Sequence, residues 1–524
     1  VGCSDEPKEP VPTRTVSIQF LHGPEIRPYL ARMRDLFYAS SPTLADGSRI
    51  DVELVSELGV PAAMKVASGE IKADAWLAPS SALVNLANSR VQNLGAHQTD
   101  CQQLFSSPVV LAVPAAEQSR LSSGAQTFDW RKVFALISAG TGPDNRTVRF
   151  SHAPPKASVS GLAVMSQLLA FTANEPLKPL HQVTWSEQGK AGLKRFQQRV
   201  SEYSLSEGFL LERVAQSSPE LVHISLSTEQ QVVLFNRNSG QSTPAVIALY
   251  PEHSAVWQDY TMCGSEADWV APDRQEATAI WRRFLTSDQA QAALPQEGFR
   301  PSISKRADPQ LLGPKVGINL ALPTGSAYAQ QGEVITEILS NWEGLLRPVS
   351  LTIVIDTSSS MEGDTLTAVK DALRDFLARV PPHVSMSLVS FSNEPRMVTP
   401  FTSDRAQPIS ALDPLTAQGG GAAYDGIRFG LDTLRIPGRE QERKMLLVIT
   451  DGEGQISEMS RPALIATFKR RIREQDLVTV MLPIKKEGTP YDDLAEITKA
   501  ADGRFKEVAI GELALQFEDI LKSL

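Results

Sequence analysis

Two carboxylates and two hydroxyls stand where a hard cation could be held. Asp356 closes an apolar, β-branched run at 351–355, and Ser358 and Ser360 follow at alternate positions. A second apolar run, 445–450, ends in Asp451 and then Gly452-Glu453-Gly454. Continuous runs of this kind are the pattern of parallel strands buried on both faces. Open α/β sheets collect their ligands in the crevice at the carboxyl ends of such strands. Clustered carboxylate and hydroxyl oxygens suit Mg2+, with Ca2+ or Mn2+ as the other candidates. No base, nucleophile or histidine cluster accompanies them in the sequence, so the expected chemistry is binding rather than hydrolysis.

A second candidate lies at 157–161, Ala-Ser-Val-Ser-Gly, between a strand ending at Ser151 and the apolar helix 162–171. Hydroxyls and a glycine at a helix start leave backbone N–H groups free for an anion or a polar ligand. The same residues also serve as an ordinary N-cap, and the segment alone favours the cap. Three cysteines complete the reactive inventory. Cys3, in Val1-Gly2-Cys3-Ser4-Asp5, sits after a small residue and before an acidic, proline-bearing stretch, as a lipidated cysteine would. Cys101 and Cys263 remain, either as a disulfide pair in an exported chain or as two unrelated buried thiols.

The whole chain limits the roles open to these residues. Its 524 residues exceed one ordinary core, so several domains are expected. No apolar run approaches a membrane span. The formal charge of −9, with no basic block carrying interleaved aromatics, argues against nucleic acid. No zinc spacing, phosphate loop or Ser-His-Asp grouping is present.

Strands alternate with helices along most of the chain, which specifies an α/β fold. A strand at 14–20 precedes a helix with Ile26, Leu30, Met33 and Phe37 on one face. Strand 49–54, a short strand running into Pro79-Ser80-Ser81, and strand 107–114 follow. Residues 306–348 read as a turn-rich linker and then a helix that carries Val334, Ile335, Ile338, Leu339 and Trp342. From 349 the pattern is a doubly wound sheet. Strand 351–355 leads into helix 364–380, with Leu366, Val369, Leu373, Phe376, Leu377 and Val380 as its core face. Strand 384–391, a glycine-rich loop at 418–425 opening helix 426–434, strand 445–450, strand 477–484 and helices 491–501 and 511–521 complete it.

In their order, the segments ADAWLAPSSALV, SPVVLAVP, FDWRKVFAL, RFSHAPPKASVSGLAVMSQLLA, LSTEQQVV, ALYPEHS, ADWVAPDRQEATAIWRRFL and EGFRP resemble two-lobed bacterial extracellular solute-binding proteins across 14–305. The resemblance implies two α/β lobes joined by a hinge, with a cleft lined by His22, Gly23, Ser80, Ser81, Ser158, Ser160, Thr228 and Glu229. The chain departs from the pattern at two places. His22 and Gly23 replace small hydroxyl residues after the first strand, and Glu252-His253-Ser254 replaces Glu-Gly-Thr after the tyrosine-proline. The same comparison puts Cys101 before a strand crossing between lobes and Cys263 near a returning one, which implies a Cys101–Cys263 disulfide. The start around Cys3 resembles the tail of a bacterial lipobox, which makes 1–13 a lipoprotein tether.

Over 349–524, Asp-Thr-Ser-Ser-Ser and Val-Ile-Thr-Asp-Gly together resemble a von Willebrand factor type A domain. That resemblance implies that Ser358 and Ser360 bind the ion directly, and that Asp356 and Asp451 act directly or through water. A partner's carboxylate would complete the shell. The family's further threonine ligand is here Gly421, within 419–425, Gly-Gly-Gly-Ala-Ala-Tyr-Asp, and Asp425 is expected to cap its helix. The combined expectation is a lipid-anchored bacterial envelope protein on the periplasmic or extracellular side. It would be non-catalytic and pair a cleft for a small polar solute with a metal-dependent site for a protein partner. It would reach the membrane through its anchor only and would not bind nucleic acid. The alternative expectation is the substrate-binding component of a solute uptake transporter. Domain limits are 1–13, 14–305, 306–348 and 349–524.

Overall fold

The computed structural model describes residues 14–92, 94–122, 126–142, 146–156, 158–173, 184–218, 220–240, 243–252, 255–302, 307–323, 332–452, 454, 456–474, 476–486 and 488–524. Within them the amino-terminal module holds β1 (Thr15–His22), β2 (Arg49–Ser56), β3 (Ala75–Ala78), β4 (His97–Pro114), β5 (Thr127–Phe128), β6 (Thr147–His152), β7 (Val200–Tyr203), β8 (Leu221–Thr228), β9 (Val246–Pro251), β10 (Trp257–Glu266) and β11 (Arg300–Pro301). The strand order β2-β1-β3-β10-β4-β8-β6-β7 runs through both lobes. The long strand β4 makes this continuity. Its residues up to Pro108 pair with β10, and from Val109 onward it pairs with β8 and β9.

Cys101 on β4 and Cys263 on β10 are joined by a disulfide. Their 162-residue separation in sequence closes a long loop, and the chain-entropy account gives such a closure about 5 kcal/mol.

The first lobe packs Phe20, Phe37, Phe105, Tyr260 and Trp281 between its sheet and helices. Phe37 meets Trp281 edge-on at 4.9 Å, and Phe105 stacks on Tyr260 at 4.6 Å. The helix Val159–Thr172 is apolar on all sides and buried along most of its length, as a helix at the centre of a layered lobe must be.

The stretch expected as a linker is instead packed. Leu312, Val316 and Ile318 enter the core of the second lobe beside Val246, Ala248 and Tyr250. The helix Gly332–Leu345 buries Val334, Ile335, Ile338 and Trp342 against both lobes, touching helix Ser81–Asn88 in the first and helices Val159–Thr172 and Glu187–Gln197 in the second. Apolar residues in a turn-rich segment need cover, and the neighbouring lobe supplies it.

The carboxy-terminal domain holds β12 (Val349–Asp356), β13 (Val384–Phe391), β14 (Pro395–Thr402), β15 (Arg443–Thr450), β16 (Leu477–Pro483) and β17 (Arg504–Phe505), in the order β14-β13-β12-β15-β16-β17. All pairs are parallel except β13–β14, an antiparallel edge that the parallel reading did not include. Separate cores cover the two faces. Helices Asp364–Arg379 and Leu513–Ser523 lie on one, and Ala423–Thr433, Arg461–Glu474 and Asp492–Ala500 on the other. The chain leaves β12 toward β13 on one side and returns as β15 on the other. The switch point therefore lies between β12 and β15.

Candidate functional site

Register fixes the first site. Ile355 pairs with Ile449, so Asp356 and Thr450 lie level at the carboxyl ends of neighbouring strands, with Asp451 one residue beyond. The Asp356 carboxylate is 1% exposed and fully engaged. Its Oδ1 accepts from the Ser358 amide at 2.8 Å, and its Oδ2 accepts from the Thr450 hydroxyl at 2.6 Å. Burial pushes its carboxyl up, the Ser358 and Thr450 hydrogen bonds oppose this, and the charge of Asp451 adds to the rise. Ser358 Oγ lies 3.0 Å from Ser360 Oγ, and Ser360 donates to Asp451 Oδ1 at 2.6 Å. The four residues singled out in the sequence thus form one hydrogen-bonded chain, which Asp356 joins through the Ser358 amide. Thr450 belongs to it as well, and its place just before Asp451 was the only sequence signal.

The glycine-rich loop is stitched to the same crevice. The Gln418 amide donates to Thr357 O and the Ser359 amide to Gly419 O, both at 2.9 Å. Asn393 Oδ1 accepts from the Gly420 amide at 2.7 Å. Gly421 brings no hydroxyl to this loop. Asp425 does not cap its own helix, which starts earlier, at Ala423. Its carboxylate instead accepts from the amides of Glu458 and Met459, at 2.7 and 2.9 Å, and ties the following turn to the helix.

These residues fit a hard divalent ion. Every donor is oxygen, and among the described residues no group of three or more His, Cys, Asp or Glu converges. Two carboxylates with hydroxyls suit an ion that keeps several waters. The Lys486 ammonium, on the segment after β16, lies 3.6 Å from Asp451 Oδ2, so the site already draws a positive charge. No sequence pattern singled out Lys486.

The cleft of the amino-terminal module is built differently from its sequence expectation. Ser80 caps helix Ser81–Asn88 by accepting from the Ala82 amide at 3.2 Å, and donates to Asp259 Oδ1 at 3.1 Å. The Ser81 amide donates to the same oxygen at 3.0 Å, and the Ser81 hydroxyl bonds the other. In the second lobe, Ser158 caps helix Val159–Thr172 and lies 2.7 Å from Ser160. Ser160 donates to Glu207 Oε1 at 2.5 Å, and Ser227 to Oε2 at 2.6 Å. Ser80 and Ser81 thus meet on Asp259, and Ser160 meets Glu207, with Ser158 behind it. Residues 158–161 are both a cap and a polar seat.

The remaining four cleft candidates have other partners. His22 is fully buried, with Nδ1 2.7 Å from Gly23 O and Nε2 3.2 Å from Ser56 Oγ. Over Gly23 lies the Glu25 carboxylate, so close that a β-carbon there would meet Glu25 Oε1 at 2.3 Å. Thr228 caps helix Glu229–Asn238. Glu229 is held by Arg300 on both oxygens and by the Tyr250 hydroxyl at 2.5 Å, an ion pair inside the second lobe. Desolvation by the surrounding lobes raises the Glu25, Asp259 and Glu207 carboxyls, and the charge of Glu207 adds to the rise at Glu25. Sequence reasoning missed these three carboxylates because the contacts that reveal them are long-range. Cys3, His253 and Ser254 lie outside the described residues.

A family model described as bacterial extracellular solute-binding protein matches residues 18–300, more than half of the chain, and one described as von Willebrand factor type A domain matches 351–453. An uncharacterized protein of Synechocystis sp. is 28% identical over 122 residues, which are 23% of this chain and 29% of that protein's length. Among solved structures, a von Willebrand factor type A protein from Catenulispora acidiphila is 19% identical, covering 34% of this chain and 42% of that one, with a TM-score of 0.30. The conserved hypothetical protein BatB from Bacteroides thetaiotaomicron is 18% identical, covering 33% and 98%, with a TM-score of 0.28.

Proposed function

We propose, for a chain that belongs to the bacterial extracellular solute-binding proteins and carries a von Willebrand factor type A domain behind them, a non-catalytic binding protein of the cell envelope. Family membership supports an extracellular or periplasmic location. A lipid anchor on Cys3 is part of the proposal and stands on the sequence alone. Among the described residues no helix is long and apolar enough to cross a membrane.

The reading is carried by the convergence of Asp356, Ser358, Ser360 and Asp451 at the switch point of the carboxy-terminal sheet. Ser358, Ser360 and Asp451 would hold Mg2+, Mn2+ or Ca2+, with Asp356 behind them because both of its oxygens are already engaged. When bound, the ion supplies an electrophilic seat for a carboxylate oxygen of a partner protein. Ser358 and Ser360 orient that seat, and the glycine-rich loop walls it.

The test is calorimetric titration of Mg2+, Mn2+ and Ca2+ into the wild-type chain, Asp356→Ala, Ser360→Ala and Gly421→Thr. Saturable binding is expected in the wild type and at least tenfold weaker binding in the first two variants. Ser360 is exposed, so its variant keeps the fold and isolates the ligand. Gly421 lies outside the left-handed backbone region, and a threonine there is expected to tighten binding. Equal metal binding by the wild type and both weakened variants overturns the proposal.

A further inference from the structure

We infer that the carboxylates of Asp259 and Glu207 are tethered occupants of two anion seats in the solute cleft, so that the cleft refuses inorganic oxyanions. The inference rests on reading residues 14–305 as a ligand-binding cleft. Each seat has donors that a small oxyanion recruits: hydroxyls in both, joined in the first by the Ser81 amide. One seat opens helix Ser81–Asn88 in the first lobe, and the other opens helix Val159–Thr172 in the second.

In both places the donors converge on a side chain brought from another element. Asp259 arrives from β10, and takes the Ser80 hydroxyl together with the Ser81 amide and hydroxyl. Glu207 arrives from the first turn of helix Glu207–Ala215 and takes the Ser160 and Ser227 hydroxyls, one on each oxygen. Neither arrangement is needed for capping. Ser80 already caps its helix through Ala82, and Ser158 caps its own through Gly161. A solute anion would have to displace a carboxylate that is covalently part of the chain, and so present at high effective concentration.

A third carboxylate deepens the effect. Glu25 folds over Gly23, accepts from the Tyr260 hydroxyl at 3.2 Å, and feels the charge of Glu207 from the opposite lobe. An incoming oxyanion therefore meets carboxyl oxygens from both lobes, in a place where protein limits the water that would screen them.

The experiment is isothermal titration of sodium sulfate and sodium phosphate, at fixed ionic strength, into the full chain. The proteins compared are the wild type, Asp259→Ala, Glu207→Ala and the double variant, with folding checked by circular dichroism. No saturable binding is expected in the wild type. Each single variant vacates one seat and is expected to gain saturable binding, and the double variant should bind at least tenfold tighter than either. The single variants decide the matter if the double variant does not fold. Wild-type binding as tight as that of the variants overturns the inference and leaves the cleft reading standing. Folded variants that bind neither anion remove both.

Discussion

Lys486 sets a magnitude for the proposed metal site. Its ammonium lies 3.6 Å from Asp451 Oδ2, with the lysine side chain 49% exposed and the aspartate 3%. At that separation two unit charges attract by about 1.2 kcal/mol in water, and by about four times that at an effective dielectric near 20. The half-exposed lysine belongs near the lower figure, because solvent and side-chain freedom discount it further. A divalent ion seated on Asp451 must displace this ammonium or tolerate its repulsion. Removing the amine should therefore favour metal binding by about 1 kcal/mol, close to fivefold in Kd. Lys486→Met keeps the aliphatic length and is the informative variant, and Lys486→Glu should go further by adding an anion at the rim. Mn2+ titration by calorimetry at low and physiological salt reads both, and the gain for Lys486→Met should shrink as salt rises. A Kd for Lys486→Met equal to or weaker than that of the wild type, in folded protein, would refute the reasoning. It would mean that the amine is not held against Asp451 where the ion goes.

Two further outcomes test the rest of the molecule. Asp502 reaches from the carboxy-terminal domain to Arg213 and His223 of the second lobe, at 2.7 and 2.8 Å. Burial opposes its ionisation, yet His223 and Arg213 outweigh it and hold the carboxyl at about 2. Asp502→Asn keeps a residue tolerated at φ 50° but removes the nearer anion from the buried Arg213 guanidinium and the carboxylate partner from His223. It should cost about 3 kcal/mol, read as a lower urea midpoint, and a loss under about 1 kcal/mol would contradict the assignment. A depressed carboxyl stabilises above its unfolded value, so this contribution should also fade between about pH 4 and pH 2. His152 is fully buried between Ala153 O and Gln197, and burial lowers its pKa. The unfolded chain then takes up the proton first, so stability should fall as pH drops below about 6.5, by up to ~1.4 kcal/mol per unit from this residue. His152→Asn should flatten that slope in urea midpoints taken from pH 7.5 to 5.5, and equal slopes would count against the burial argument.

Some of this was legible in the sequence for a plain physical reason. Residues 349–356 and 443–450 are buried on both faces, so their apolar runs announce strands, and the polar residues that break them must stand at the sheet's end. Asp356, Ser358 and Ser360 share one loop, and local spacing suffices to group them. Asp259 meets Ser81 only because β10 returns beside β3, a contact between residues 178 apart. No local pattern encodes it. Edge strand β14 carries Pro395 and Pro400, which read as strand breakers. Both are tolerated because β14 has only β13 as a neighbour. Residues 312–318 looked like a linker because their glycines and prolines are visible in the sequence, whereas the core that receives Leu312, Val316 and Ile318 is not.

The packing between modules bears on how the two sites relate. β7 at the edge of the second lobe lies against β16, and the boundary is crossed by buried charges. Arg149 and Arg347 share Asp476, and Arg504 reaches Glu202 at 2.5 Å. Removing one partner from such pairs leaves an uncompensated buried charge, so sliding these surfaces apart is costly. The second lobe and the carboxy-terminal domain are thus bound to move together. Helix Gly332–Leu345 extends this body to the first lobe by packing on helix Ser81–Asn88, whose amino end is the seat filled by Asp259. Any opening of the cleft must strain either that helix contact or the passage of β4 between lobes at Pro108–Val109. The connection from cleft to carboxy-terminal domain is therefore made of packed elements rather than of flexible chain, and a solute that changed the lobe angle would act on that domain through them.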